Sequence, residues 1–324
     1  MADFSCCCSF RRSEIGLVLL ISHSEKPTDR SVGSSTTQGP PTISVILPAF
    51  NAAATIDLAV RSILAQTETD FELLVVDDGS TDSTVEILRG YDDPRLKVFA
   101  PGENRGLTVR LNELLEEAQG SYVARMDADD VSYPCRLERQ RAELEGRNLD
   151  LVGAAIVVVD DQLRPKGIRW TPLTHDEICA RPWSGFYFPH PTWFGRRDVI
   201  RSLGYRNFRL CEDQELLLRG HRELRLGNVE DVLLGYREPR PSWRKIKRGR
   251  RSFVAALRAN AGGYDRNPAL AVAEQYVKLA FDGFSVTTGL AEKLLAHRHG
   301  APDLIAYAAW DDVLRGLNVE PLGR

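Results

Sequence analysis

The sequence predicts an α/β fold, a mainly parallel sheet flanked by helices, and three observations carry that expectation. Short apolar runs rich in β-branched residues alternate with segments of helical periodicity from Thr42 onward. Each run has the length of one strand and is followed by turn-forming residues. Beyond Asp130 the alternation loosens into an α+β pattern, and after Pro241 only helical periodicity remains.

Residues 22–42 are rich in Ser, Thr, Pro and Gly and hold too few apolar side chains to offset the entropy of ordering them. The folded unit is therefore expected to begin near Thr42, with residues 1–41 as a disordered N-terminal tail. Ile43 to Leu47 reads as the first strand, and Ile56, Ala59, Val60, Ile63 and Leu64 recur behind it at helical spacing. Phe71 to Val76 repeats the strand, and Ser83 with Glu86 offers an S-x-x-E capping box for the next helix. Leu96 to Phe99, a helix over Leu107 to Ala118 and a strand over Tyr122 to Met126 extend the series. Such β-α-β connections are right-handed and require parallel neighbours, so this half is Rossmann-like.

A helix near Pro134 to Gly146, a strand over Leu151 to Val159, an irregular aromatic stretch, a helix over Asp213 to Arg219 and a strand over Val232 to Tyr236 follow. In the helices after Pro241, Leu270, Val272, Tyr276, Leu279 and Phe284 are expected to pack back on the sheet.

Of the 324 residues, 43% are hydrophobic and 27% charged, enough for one large core or two intimately packed lobes. Forty-two basic against 45 acidic side chains leave a net charge of −3, which excludes the global positive field of a nucleic-acid binder. Cys6-Cys7-Cys8, Cys135, Cys179 and Cys211 match neither a disulfide framework nor paired zinc spacing, and read as reduced thiols in a cytoplasmic setting. The apolar run Ile15 to Ile21 is far shorter than the roughly 20 residues of a membrane span.

In an open parallel sheet, ligands collect at the carboxyl ends of the strands, and three such ends here are acidic. Val76-Asp77-Asp78-Gly79-Ser80-Thr81-Asp82 puts carboxylates before a glycine turn, where one of them can accept the imide N–H of a uracil base. Arg125-Met126-Asp127-Ala128-Asp129-Asp130 crowds like charges in a D-x-D segment that calls for an oxygen-liking cation. Cys211-Glu212-Asp213-Gln214 sets two acids at a helix start, where the dipole favours the ionised form that a general base needs.

With Ile43-Ser44-Val45-Ile46-Leu47-Pro48-Ala49-Phe50-Asn51 ahead of them, and Asn104 and Gly106-Leu107 between, these motifs resemble glycosyltransferase family 2 in order and spacing. The resemblance spans Thr42 to about Arg219; the tail and C-terminal helices lie outside it. It implies a GT-A fold and an inverting single displacement. The sugar would pass from a nucleotide-sugar donor, a UDP-sugar, to a hydroxyl of a glycan or lipid-linked acceptor, with Mn²⁺ or Mg²⁺ at the D-x-D segment. By position, Pro48, Ala49, Phe50, Asn51 and Asp78 would hold the nucleotide base, and Asp127, with Ala128 beside it, the ribose. Asp127 and Asp129 would hold the metal and diphosphate. Asp213 matches the catalytic base, with Glu212 orienting the acceptor or holding Asp213. Arg105 or Arg110 would reach donor phosphates, and His190 matches a position near the metal or the acceptor. On this reading residues 42–135 form a nucleotide-sugar-binding half, 136–240 an acceptor-binding half and 241–324 a C-terminal helical region.

Trp170, Trp183, Phe186, Tyr187 and Phe188 crowd the stretch before His190 as candidate sugar-stacking faces. Eight basic residues and no acids fall between Arg240 and Arg258, and Trp243, Ile246, Phe253, Val254 and Leu257 there share a helical face. That stretch is a candidate for peripheral contact with the inner face of an anionic membrane. No Q-x-x-R-W signature is present, so one sugar per encounter is expected. A sugar-phosphate nucleotidyltransferase would need a glycine-rich phosphate loop where Pro48 to Asn51 stands, and an inactive carbohydrate-binding or nucleotide-binding protein would be expected to have lost Asp127, Asp129 or Asp213.

Overall fold

The computed structural model describes residues 39–208, 210–238, 242–290 and 303–321. Four strands, β1 (Ile43–Ala49), β2 (Phe71–Asp77), β3 (Leu96–Phe99) and β4 (Tyr122–Arg125), lie in the order 3-2-1-4 and are all parallel. They are joined by α1 (Ile56–Leu64), α2 (Thr84–Arg89) and α3 (Leu107–Glu117). Every side chain of β1 and β2 is buried, which explains why these runs are continuously apolar: helices cover both faces. Alternate residues divide between two cores, Val45, Leu47, Leu73 and Val75 joining α1, while Ile46, Leu74 and Val76 meet Leu111, Leu114 and Leu115 of α3.

The capping box expected at Ser83 does not form, since its side chain makes no cap bond. Asp82, one residue earlier, accepts the N–H of Thr84 at 3.1 Å instead, a carboxylate being the stronger acceptor.

The sheet continues through β8 (Phe194–Arg196), antiparallel to β4, then β6 (Leu151–Val159), β9 (Leu226–Arg237) and the short β5 (Val131–Ser132), with β7 (Pro165–Arg169) hairpinned on β6. Nine strands thus form one sheet across both halves of the chain. Strand β9 begins well before the expected Val232. Its first residues pair with Leu151 to Gly153, but Asn228, Glu230 and Asp231 interrupt the apolar pattern that marks a strand in sequence.

After α4 (Arg136–Gly146), α5 (His175–Ile178), α6 (Arg197–Leu203) and α7 (Glu212–Gly220), the described residues hold three more α-helices: α8 (Trp243–Ala259), α9 (Pro268–Thr287) and α10 (Leu304–Gly316). The one that packs back on the sheet is α10. Its fully buried Trp310 lies so close to Gly235 of β9 that a Cβ there would come within 2.2 Å of the indole, and its Nε1–H donates to the Leu163 carbonyl at 2.9 Å. The expectation that α9 does this is overturned: Leu270, Tyr276 and Phe284 are more than half exposed, and the side chains it buries are Ala271, Gln275 and Ser285. The apolar face predicted for α8 is likewise not free, because Phe253, Val254 and Leu257 are buried within the protein. Arg240, Cys6, Cys7, Cys8 and the predicted tail up to residue 38 lie outside the described residues. Cys135, Cys179 and Cys211 are in no disulfide, and burial pushes the Cys179 thiol up to about 12.

Candidate active site

The chain leaves β1 for β2 and β3 on one side and returns to β4 on the other, so the crevice at the carboxyl ends of β1 and β4 is the topological switch point. All three acidic segments were placed by their strands and helices, but they are built very differently.

The first is held mainly by internal bonds, although the buried Asp77 Oδ1 has no hydrogen-bond partner. Asp77 accepts the N–H groups of Gly79 and Ser80 at 3.1 and 2.9 Å. Gly79 has φ +74°, and a Cβ there would stand 2.8 Å from the Glu103 carbonyl carbon, so glycine is required. Asp78 Oδ1 accepts from the Arg105 N–H at 2.7 Å and Arg110 Nε at 2.8 Å, and Oδ2 from the Gly106 N–H at 2.9 Å. Asn51, at φ +49°, accepts the Thr81 N–H at 2.9 Å through its side chain and donates its own N–H to Ser80 Oγ at 2.8 Å. Pro48 and Ala49 are buried at the end of β1, and Phe50 projects beside them, half exposed.

Arg110 is therefore not available to donor phosphates as the sequence suggested. Its guanidinium is buried, and besides Asp78 it bonds Glu113 at 2.7 Å and the Glu103 carbonyl. Arg105 is half exposed and pairs with Glu113 at 2.6 Å. Both line a separate cavity of about 440 Å³ with Phe99, Glu103 and Glu113.

The second segment is crowded and under-satisfied. Carboxylate oxygens of Asp127, Asp129 and Asp130 all lie within 4.8 Å of one another. Arg125, buried in β4, grips Asp127 through both terminal nitrogens at 2.5 and 2.6 Å. Asp130 Oδ1 accepts the Arg237 N–H at 3.0 Å, but its buried Oδ2 has no hydrogen-bond partner. Burial, then the charges of Asp127 and Asp129, push Asp130 well above the carboxylate range. Desolvation and Asp127 raise Asp129 as well. Ala128 between them is half-buried against the core. An orphaned buried carboxylate oxygen among crowded like charges fits a hard divalent cation, which takes oxygen ligands.

The third segment opens α7 (Glu212–Gly220), with Cys211 at its N-cap. Asp213 Oδ2 accepts from Gln214 Nε2 at 3.0 Å, while Gln214 Oε1 accepts the Phe186 N–H at 2.8 Å. Buried Glu212 faces His190 Nδ1 at 3.6 Å, and His190 Nε2 pairs with the Tyr205 hydroxyl at 2.8 Å. Burial, then Arg125, lowers His190 to about 3, so it is neutral. With Tyr205 on one ring nitrogen and Glu212 beside the other, His190 supports the Glu212-Asp213 pair. Among the described residues the side chains grouped closely enough to hold a metal ion are Asp127, Asp129 and Asp130, a group that does not include His190.

Asp127 and Asp213, far apart in sequence, open on one cleft of about 890 Å³. Trp170, Phe186, Tyr187 and Phe188 line it, Tyr187 being the most exposed. Trp183 does not, its ring being covered by Arg266 at 5.3 Å. Sequence reasoning passed over Arg125, although period-two geometry puts it on the same face as Asp127. It also passed over Tyr205, and it did not place on the cleft wall Lys278 or Lys245 and Arg250 of the basic stretch.

Residues 44–204 match the family described as Glycosyl transferase family 2. The chain is 35% identical over 227 residues to the putative glycosyltransferase EpsE of Bacillus subtilis, covering 67% of this chain and 78% of that one. It is 32% identical over 203 residues to the O-antigen biosynthesis glycosyltransferase WbnJ of Escherichia coli, covering 60% and 79%. Its fold is similar to that of S. aureus TarS in complex with UDP-GlcNAc, with a TM-score of 0.58, 20% identity and coverage of 85% of this chain and 80% of that one. It is also similar to the mannosyltransferase PcManGT from Pyrobaculum calidifontis in complex with GDP-Man and Mn²⁺, with a TM-score of 0.54, 20% identity and 86% of each chain covered.

Proposed function

The chain belongs to glycosyl transferase family 2 and is a glycosyltransferase, and we propose that it transfers one sugar at a time, with inversion, from a nucleotide-sugar, a UDP-sugar, to a hydroxyl of a glycan or lipid-linked acceptor. The observation that carries this reading is the opening of Asp127 and Asp213 onto one cleft. A donor held at one wall and a base at the other is the arrangement a single displacement needs.

Asp213 takes the proton of the acceptor hydroxyl as that oxygen bonds to the anomeric carbon. The bond from that carbon to the diphosphate breaks, and its electron pair leaves with the nucleoside diphosphate. Gln214 fixes one oxygen of Asp213, and Glu212, braced by His190 and Tyr205, backs it. Asp127, Asp129 and Asp130 would hold Mn²⁺ or Mg²⁺, which would supply positive charge against the negative charge developing on the leaving diphosphate. Arg125 holds Asp127 aimed into the cleft.

Pro48 to Asn51 and Asp78 hold the base at the far end of the switch point, where three internal donors leave Asp78 about one of its four acceptor sites. Tyr187 and Trp170 offer faces to acceptor sugars. The names of relatives such as WbnJ support a role in polysaccharide biosynthesis for the cell envelope. The work would be done in the cytoplasm, peripherally at the inner face of the membrane. No helix among the described residues is long and apolar enough to cross a membrane.

The test is a pair of variants. Asp213→Asn is expected to bind donor and cation normally while nucleoside diphosphate release falls about 100- to 10,000-fold. Asp129→Ala is expected to lose cation-dependent donor binding itself. Equal loss of binding in the two would overturn the division of roles.

A further inference from the structure

Helix α9 is inside out. Its inward positions, Ala271, Gln275, Lys278, Asp282 and Ser285, recur at three- and four-residue steps and are mainly polar, whereas Leu270, Val277, Phe281 and Phe284, at the same steps, face solvent. These four are 58, 70, 53 and 60% exposed, and Tyr276 flanks them at 51%. The inward polar groups are engaged. Gln275 donates to the Trp183 carbonyl at 2.8 Å and accepts from Arg250 at 3.0 Å, Asp282 pairs with Arg250 at 2.9 Å, and Lys278 pairs with Glu274 at 2.8 Å. Both acids of α9 are thus neutralised by internal partners.

The neighbouring α8 supplies charge of one sign. Its outward positions carry Arg244, Arg248 and Arg251, with Lys247 half-buried beside them; α8 has no acid, and none of these four cations pairs with a carboxylate of a described residue. Trp243, 38% exposed at the start of α8, packs against Gly283 of α9 and ties the basic row to the apolar face.

An exposed apolar stripe beside unpaired cations is complementary to one occupant, a bilayer with anionic headgroups, in which apolar side chains enter the acyl boundary and cations stay at the phosphates. We propose that the outward faces of α8 and α9 together dock this enzyme on an anionic membrane, through Val277, Phe281 and Phe284 with Arg244, Arg248 and Arg251. This deepens the peripheral location proposed above and replaces the buried apolar side of α8 as the contacting surface. It is independent of the reaction chemistry.

Co-sedimentation of the full chain with vesicles of phosphatidylcholine, alone or mixed with phosphatidylglycerol, tests it without substrate. The wild type is expected to bind the mixed vesicles, to bind less as salt rises, and to leave pure phosphatidylcholine largely unbound. Phe281→Ser with Phe284→Ser should weaken binding by roughly tenfold or more. Arg248→Gln with Arg251→Gln should weaken it about fivefold per cation removed. Circular dichroism and nucleotide binding should be unchanged in both pairs, which separates this proposal from the assignment of the reaction. No binding by the wild type, or binding indifferent to both pairs, overturns it. So does light scattering that shows a wild-type dimer broken by the phenylalanine substitutions, since the face would then belong to a second copy.

Discussion

The acidic segments after β2 and β4 look alike in sequence, and the structure uses them in opposite ways. In Asp77, Asp78 and Asp82 the carboxylates are turned into the backbone of neighbouring loops and the buried Arg110, with Asp77 Oδ1 the one buried oxygen among them that has no hydrogen-bond partner. In Asp127, Asp129 and Asp130 the carboxylates face one another, and one buried oxygen has no partner. A carboxylate whose acceptor sites are filled by internal donors builds a scaffold. One left crowded and short of donors is held against its own electrostatic preference, and that cost points to a charge still to arrive.

The sharpest way to break this comparison is to remove the scaffold carboxylate. Asp78→Ala would take from the buried Arg110 one of its two carboxylate partners and leave the Arg105 and Gly106 N–H groups without their acceptor, and an expected loss of roughly 3 kcal/mol in urea unfolding follows. A stable Asp78→Ala protein would erase the distinction.

The opposite sign is expected at the second segment. Because the folded-state pKa of Asp130 is raised, its contribution is favourable below the unfolded value near 3.8 and is lost as pH rises through the folded one. In EDTA at neutral pH, Asp130→Asn should therefore be more stable than the wild type, by about 1–3 kcal/mol. Added Mn²⁺ should narrow that gap.

The smallest effect concerns the wall behind the cluster. His190 is lowered from 6.5 to about 3, so the unfolded chain takes up its proton first and the wild type loses stability as pH falls through that window. Relative to a His190→Gln variant, the loss is about 1 kcal/mol at pH 6. Parallel stability profiles for the two proteins would show that His190 is open to solvent.

Much of the fold was legible because the central strands are buried on both faces and so are written as nearly unbroken apolar runs, as in Leu151 to Val159. Strand β9 was cut short in the reading because its polar residues face partners that no periodicity reveals, Asn228 donating to the Pro172 carbonyl for one. The apolar residues of α9 were legible as a stripe, but a stripe does not say whether it faces a core or something else. At the site, each acidic segment could be found from its strand end or helix start. Their pairing could not, because the cleft that joins Asp127 to Asp213 is made by distant elements meeting. Nor could the saturation of Arg110, which depends on a helix register that brings Glu113 and Asp78 to one guanidinium.

The most direct test of the central claim is thermal-shift binding of UDP, GDP, CDP and dTDP, each with Mn²⁺ and with EDTA, to the wild type, Asp82→Ala and Asp129→Ala. The account predicts cation-dependent stabilisation by one nucleotide in the wild type, retained in Asp82→Ala and lost in Asp129→Ala. Stabilisation that survives in Asp129→Ala, or a wild type that responds to none of the four, would contradict it.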